Sequence, residues 1–273
     1  MHRFIIRFLL LTLACPVLAD TSYGELTGES ARVFMEGAAL FESPRETSSV
    51  ICPLPLGTEL HRLAAIDMQY QGDGISSSWM EGTCQLDGET YRGYIPQPWL
   101  ALTDQVLSGD TLFMFGIGTY YPDIYRFVGS ARIVYEGDIL WESVFYPPSG
   151  GFEGSDYRYG VSSRQIDPVG FTRMQDLVVV TFTYEACGFE NRDVLFAWTG
   201  NYLIRGPSAS MVSEAGLFHY TEDFIFPGED FPGSDWVRVL STEEEFSEES
   251  MEYFVTSLDT TYYSWNGLEF TQL

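Results

Sequence analysis

Leu177-Val178-Val179-Val180-Thr181-Phe182-Thr183-Tyr184 is the stretch on which the fold turns. Its first four residues are a continuous apolar run, and its last four alternate hydroxyl with aromatic. Side chains of this kind lose χ1 freedom in a helix but pack well on a pleated surface, so the segment reads as a largely buried strand. Its surroundings repeat the pattern, with short apolar-aromatic runs broken by Gly, Pro, Asn and Asp, and the fold class expected is all-β.

Three short sequences echo one another around that strand. They are Tyr135-Glu136-Gly137-Asp138-Ile139-Leu140, Trp198-Thr199-Gly200-Asn201-Tyr202-Leu203 and Trp265-Asn266-Gly267-Leu268-Glu269-Phe270, with glycines 63 and 67 residues apart. Each reads as a hairpin: an aromatic ends one strand, glycine takes a positive φ, and the chain returns. Residues 105–273 are too few for a closed propeller, which takes four or more blades. The expectation is an antiparallel β domain of unknown function with repeated hairpins, partly propeller-like or a sandwich. One helix is expected within it, Ser241 to Phe254, where Ser241 and Glu244 have capping-box spacing and glutamates fill the first turn.

The N-terminus carries a different signal. Arg3 and Arg7 precede an apolar run from Phe8 to Ala14, and Val17-Leu18-Ala19 supplies the small residues of a cleavage site. Residues 1–19 read as a signal peptide cut after Ala19, and the run falls short of the ~20 apolar residues that span a bilayer. The expected location is periplasmic or extracellular, with no integral membrane segment in the mature chain. Thr12-Leu13-Ala14-Cys15 offers the alternative of a lipoprotein anchored at Cys15; Thr12 in place of leucine, and Pro16, weigh against it.

Loss of Arg3 and Arg7 takes the formal charge from −25 to −27. Such an acid excess repels phosphate backbones and anionic lipid, which excludes nucleic acid and membrane surfaces as partners. With 16% aromatic and 45% hydrophobic residues, the chain has far more to bury than an acidic disordered protein. Three cysteines follow the leader. Cys52 and Cys84 are the expected disulfide, closing a loop of about thirty residues worth ~3 kcal/mol in the chain-entropy model. Cys187 is left as a buried small hydrophobe.

Between 31 and 102 the sequence contains Gly37-Ala38-Ala39-Leu40-Phe41, Ser43-Pro44-Arg45, Ser48-Ser49-Val50-Ile51 and Leu56-Gly57-Thr58-Glu59-Leu60. Trp79 then opens a strand, and Tyr91-Arg92-Gly93-Tyr94-Ile95-Pro96 with Trp99-Leu100 closes the segment. This text resembles the bacterial SH3-like (Src-homology-3-like) domain of secreted and envelope proteins. The resemblance implies a small β-barrel over 31–102 and a ligand groove, for which Trp79, Tyr94 and Trp99 are the candidate residues; the same rings also suit a small core. Leu40-Phe41-Glu42 stands where family members often read Leu-Asn-Val-Arg, and residues 65–78 read as a polar insert longer than the barrel needs.

Chemistry-bearing patterns are sparse. The mature chain holds two histidines, His61 and His219, and no Gly-x-Ser-x-Gly elbow. A Cys187–His219 pair is the one nucleophile-base combination, but the flanking Glu185 and Glu190 disfavour a thiolate. Zinc spacings are missing. For calcium the only suggestive run is Glu222-Asp223, Gly228-Glu229-Asp230 and Gly233-Ser234-Asp235, without the register of a known loop, and it reads as solvated turns set by Pro227 and Pro232. No cofactor is expected.

These readings converge on a secreted, non-catalytic binding protein whose ligand is a cell-envelope component or a protein partner. Two alternatives stay open. One is an envelope glycan or peptide hydrolase targeted by the barrel, which needs a pair of converging carboxylates or Cys187 beside His219. The other is an inhibitor or immunity-type protein for a basic partner.

Overall fold

The computed structural model describes residues 23, 24, 26, 28–148, 159–184, 186–227 and 235–273. The expected leader and its Cys15 alternative lie outside these residues. Every described element longer than three residues is a strand, and all three sheets are antiparallel. No helix is long and apolar enough to cross a membrane among the described residues.

The first sheet has six strands: β1 (Ser30–Arg32), β2 (Ala39–Phe41), β3 (Val50–Pro53), β4 (Glu59–Gly72), β5 (Ile75–Leu86) and β6 (Glu89–Pro96), in the order β1-β4-β5-β6-β2-β3. Two Asp-Gly turns join its long strands. Asp73 and Gly74 have φ of 52° and 77°, and Asp87 and Gly88 have 51° and 82°. Two successive positive φ values match the right-handed twist of the flanking strands and make the tightest hairpins. Residues 65–78 are therefore no polar insert but the arm of the β4–β5 hairpin, whose surplus residues are absorbed by irregularities after His61 and Ala65. A 3-10 turn at Gln97–Trp99 follows β6, and Leu100 bridges back to Val33 beside β1, so that the sheet curls on itself. Leu40, Leu60, Ile95 and Leu100 fill the curl.

The second sheet runs β10-β9-β8-β7, from β7 (Thr103–Val106), β8 (Leu112–Tyr121), β9 (Arg126–Tyr135) and β10 (Asp138–Phe145). The third holds eight strands in chain order: β11 (Gly160–Ile166), β12 (Asp176–Thr183), β13 (Asn191–Trp198), β14 (Leu203–Glu214), β15 (Phe218–Ile225), β16 (Trp236–Ser247), β17 (Glu252–Trp265) and β18 (Phe270–Gln272).

β12 and β13 lie between two layers, which explains the apolar run. Val178, Val180, Phe182, Val194 and Phe196 pack on Phe113, Phe115 and Ile133 of the second sheet. Leu177, Val179 and Leu195 point the other way and meet Val237 and Trp265, carried round by the curl of the third sheet. Each such side chain contributes ~1.5–3 kcal/mol by leaving water. Strands buried on both faces have no reason to alternate.

All three echoed glycines sit in hairpins. Glu136 and Gly137 form a two-residue turn, with φ of 51° and 87°. The other two turns share a four-residue loop: Trp198 faces Leu203 and Trp265 faces Phe270 across it. Thr199 Oγ1 accepts the N–H groups of Asn201 and Tyr202, and Asn266 Oδ1 accepts those of Leu268 and Glu269. The short polar side chain closes the turn from its first position in both.

The helix expected over Ser241 to Phe254 does not form. Those residues complete β16, turn, and enter β17, because β16 is paired along both of its edges. Two flanking strands outweigh a capping pattern worth ~1 kcal/mol.

The first sheet is tied to the second through Phe34, which packs with Ala101, Met114 and Val134. Arg132 lies 4.2 Å above the Phe34 ring and donates to the Phe34 carbonyl. Its Nε reaches Glu142 at 2.7 Å. Burial alone would raise the Glu142 carboxyl; hydrogen bonds from Ser130 and Arg132 and the guanidinium charge outweigh it and hold the group below the usual range. At the hairpin tip, Tyr120 N–H donates to the Asp73 carbonyl, and a Cβ on Gly74 would stand 2.5 Å from the Tyr120 carbonyl oxygen. Only glycine satisfies that approach together with the positive φ.

Candidate functional site

The three candidate rings on the first sheet belong to one cluster. Trp79 on β5 is 3% exposed and packs with Phe41 of β2 and Tyr70 of β4. Tyr94 of β6 and Trp99 of the 3-10 turn cover the cluster from outside, half-buried. Four of the rings close a circuit, edge to face or tilted. Phe41 lies 5.8 Å from Trp79 and 5.9 Å from Trp99, and Tyr70 lies 6.0 Å and 6.2 Å from the same two. Such pairs contribute ~0.5–1.5 kcal/mol each beyond the area they bury. Trp79 is thus the floor, while Tyr94 and Trp99 keep partly open surface.

Tyr70 fixes the platform's chemistry. Burial pushes its hydroxyl up; a hydrogen bond with the Trp99 indole acts against this, and the charges of Glu46 and Asp73 add to it. The indole N–H is the donor, so Tyr70 sets the plane of the more exposed ring. Its rim is acidic through Glu46 and Asp73, which disfavours an anionic ligand. Sequence reading missed Tyr70 because it lay in the supposed insert. The signal was the Asp73-Gly74 hairpin pair three residues on.

Cys52 and Cys84 are free thiols, not the expected disulfide. They are brought together in the core of the first sheet, close enough to hydrogen-bond to each other. Burial, then the neighbouring Cys52, pushes Cys84 up to about 11, and burial raises Cys52. Thiolate is the form that attacks an oxidised sulfur, so burial that favours the protonated form makes both thiols slow to react while the core stays closed. Cys187 is exposed rather than buried, in the turn between β12 and β13. Brief treatment of the native protein with iodoacetamide should place an adduct on Cys187, with Cys52 and Cys84 labelled only after denaturation. Peptide mass spectrometry reads this, and prompt labelling of Cys84 in native protein would contradict the packing.

The two pairings, either of which would favour a hydrolase, fare differently. β14 lies between Cys187 and His219: Gly188 N–H donates to Ser213, and Ser213 faces His219 on β15. The His219 ring lies tilted against Tyr253, 4.1 Å between centroids. A carboxylate pair does converge, Glu190 and Glu222, both on Ser210. Ser210 donates its hydroxyl to Glu190 at 2.6 Å and its N–H to Glu222 at 2.7 Å. Arg192 pairs with Glu190, and the Tyr220 hydroxyl donates to Glu222. That last bond, ahead of desolvation, raises the Tyr220 hydroxyl. Both carboxylates accept hydrogen bonds from groups of the same sheet.

For the calcium run, Gly228 to Ser234 lie outside the described residues. Asp235 accepts from the backbone and hydroxyl of Thr172, and Glu222 is engaged as above. Among the described residues no three His, Cys, Asp or Glu side chains are grouped to hold a metal ion. Comparison with protein-family models, curated proteins and solved structures finds no match.

Proposed function

We propose that this chain is an exported, non-catalytic binding protein, and that the aromatic platform of Tyr94 and Trp99 is its ligand surface. The observation that carries the reading is the convergence of Phe41, Tyr70, Trp79, Tyr94 and Trp99 from five separate segments onto one face. A core alone would bury all five; here two stay half open on a rigid floor. The closure of the first sheet through the 3-10 turn and Leu100 supports an SH3-like barrel as the module that carries the platform. The leader read in residues 1–19 supports a location beyond the inner membrane, with a cell-envelope component or a protein as ligand. An open aromatic face with an acidic rim suits neutral or cationic chemistry, a peptide crosslink or a sugar face.

The test is cosedimentation of the full mature chain with purified peptidoglycan, together with Tyr94→Ala and Trp99→Ala. Truncating either half-open ring should weaken retention about tenfold or more; Tyr94→Ala should leave the thermal melt nearer that of the parent, whereas Trp99→Ala, which also loses its contacts with Phe41 and Tyr70, should lower it. Retention unaffected by both variants would overturn the platform. Release of soluble fragments from the same peptidoglycan would overturn the non-catalytic reading.

A further inference from the structure

A second surface, remote in sequence from the aromatic platform, lies along β17. The last strand, β18, pairs only with Tyr263–Trp265, and Leu273 N–H donates to the Tyr262 carbonyl. Among the described residues nothing pairs with the outer edge of 252–261. Thr260 N–H is satisfied there by the carboxylate of its own neighbour Asp259 at 2.8 Å, a side chain where another strand would otherwise serve.

The edge is apolar as well as open. Phe254, Val255 and Leu258 are 49%, 55% and 66% exposed. Because the β16–β17 register shifts at this point, Val255 and Leu258 fall on the same face, opposite Glu244 and Thr242. Leu258 continues a row across four strands, Met211–Thr221–Thr242–Leu258, whose Met211 is also exposed. Around it stand Glu243, Glu244 and Glu245 of β16, Glu248 and Glu249 of the turn, and Glu252 and Asp259 of β17. From Val239 to Leu273 there is no Lys, Arg or His.

Proteins commonly blunt an open edge with lysine or proline, or by covering it. Here carboxylates do the blunting, and they act selectively. A second copy of this chain would bring acid against acid, whereas a strand carrying Lys or Arg would meet Glu252 and Asp259 directly and the glutamates of β16 one strand away. We infer that the β17 edge receives an extended, basic and apolar segment of a partner protein as an added strand. Main-chain hydrogen bonds would supply affinity, Val255 and Leu258 would hold its apolar side chains, and the glutamates would select its charge.

The experiment uses the full mature chain and a synthetic peptide of about ten residues alternating lysine and valine, with a glutamate–valine peptide and a helical lysine-rich peptide as controls. Hydrogen–deuterium exchange should show new protection concentrated in 252–261 with the lysine–valine peptide alone. Fluorescence anisotropy should show affinity falling several-fold as salt is raised. Val255→Lys with Leu258→Lys, both at exposed positions, should weaken binding about tenfold or more. Protection that appears elsewhere, equal binding of either control, or affinity untouched by the double variant would overturn the proposal. So would protection of 252–261 that grows with protein concentration alone, which would make the edge a contact between copies.

Discussion

Val179→Asp abolishes cooperative folding, whereas Thr183→Asp, four residues along the same strand, leaves the protein folded. Val179 is 0% exposed and packs with Leu177, Leu195, Val237 and Trp265 between β12 and the returning strands. A carboxylate placed there loses its hydration and gains no cation, a cost of several kcal/mol against a total stability of ~5–15 kcal/mol. Thr183 is exposed at the strand end, so its replacement should move stability by about 0.5 kcal/mol or less. Val179→Ala separates volume from charge: it removes two methyl groups and should cost ~1–3 kcal/mol. Urea unfolding followed by circular dichroism measures all three. A Val179→Asp protein that unfolds like the parent would show that β12 is not covered on both faces.

The second large effect is expected at Asp176, at the start of the same strand. It is 1% exposed and its carboxylate accepts three donors: the Ser108 hydroxyl at 3.1 Å, the Ser108 N–H at 3.4 Å and the Gln165 amide at 2.6 Å. Ser108 lies between β7 and β8 and Gln165 on β11, so one side chain ties the second sheet to the third. Asp176→Ala would remove the acceptor, and because Ser108 and Gln165 are exposed their freed donors turn to water, so the loss is that of the bonds to a charged group, ~1.5–3 kcal/mol. Asp176→Asn keeps one acceptor oxygen but turns a donor toward its neighbours, so it should recover only part. The comparison is informative because packing barely changes between Asp and Asn. If Asp176→Ala unfolds at the same urea concentration as the parent, the junction is held by apolar contacts such as Phe113 on Phe196 alone.

Local chemistry made much of the architecture readable. Leu177 to Tyr184 is a strand because branched and aromatic side chains suit a pleated surface, and the echoed glycines turn the chain because they alone take positive φ without strain. Asp73-Gly74 and Asp87-Gly88 carry the same information and mark the β4–β5 arm, and with it Tyr70, which the reading of 65–78 as an insert conceals. Ser241 to Phe254 misled for the opposite reason. Its glutamates are good helix formers, and the deciding force, pairing to β15 and β17, comes from residues far away in the chain. Cysteine spacing likewise placed Cys52 and Cys84 together, whereas their state as two buried thiols depends on the apolar walls around them.

Sequence alone determined that this chain is built of strands, where several of them turn, and how strongly acidic it is, since these follow from side-chain shape, backbone freedom and charge at each position. Which strands are covered twice, which rings stay half open beside Trp79, and which edge has no neighbour among the described residues were decided only in three dimensions. Each depends on what a distant segment brings against a surface, and no local propensity encodes that.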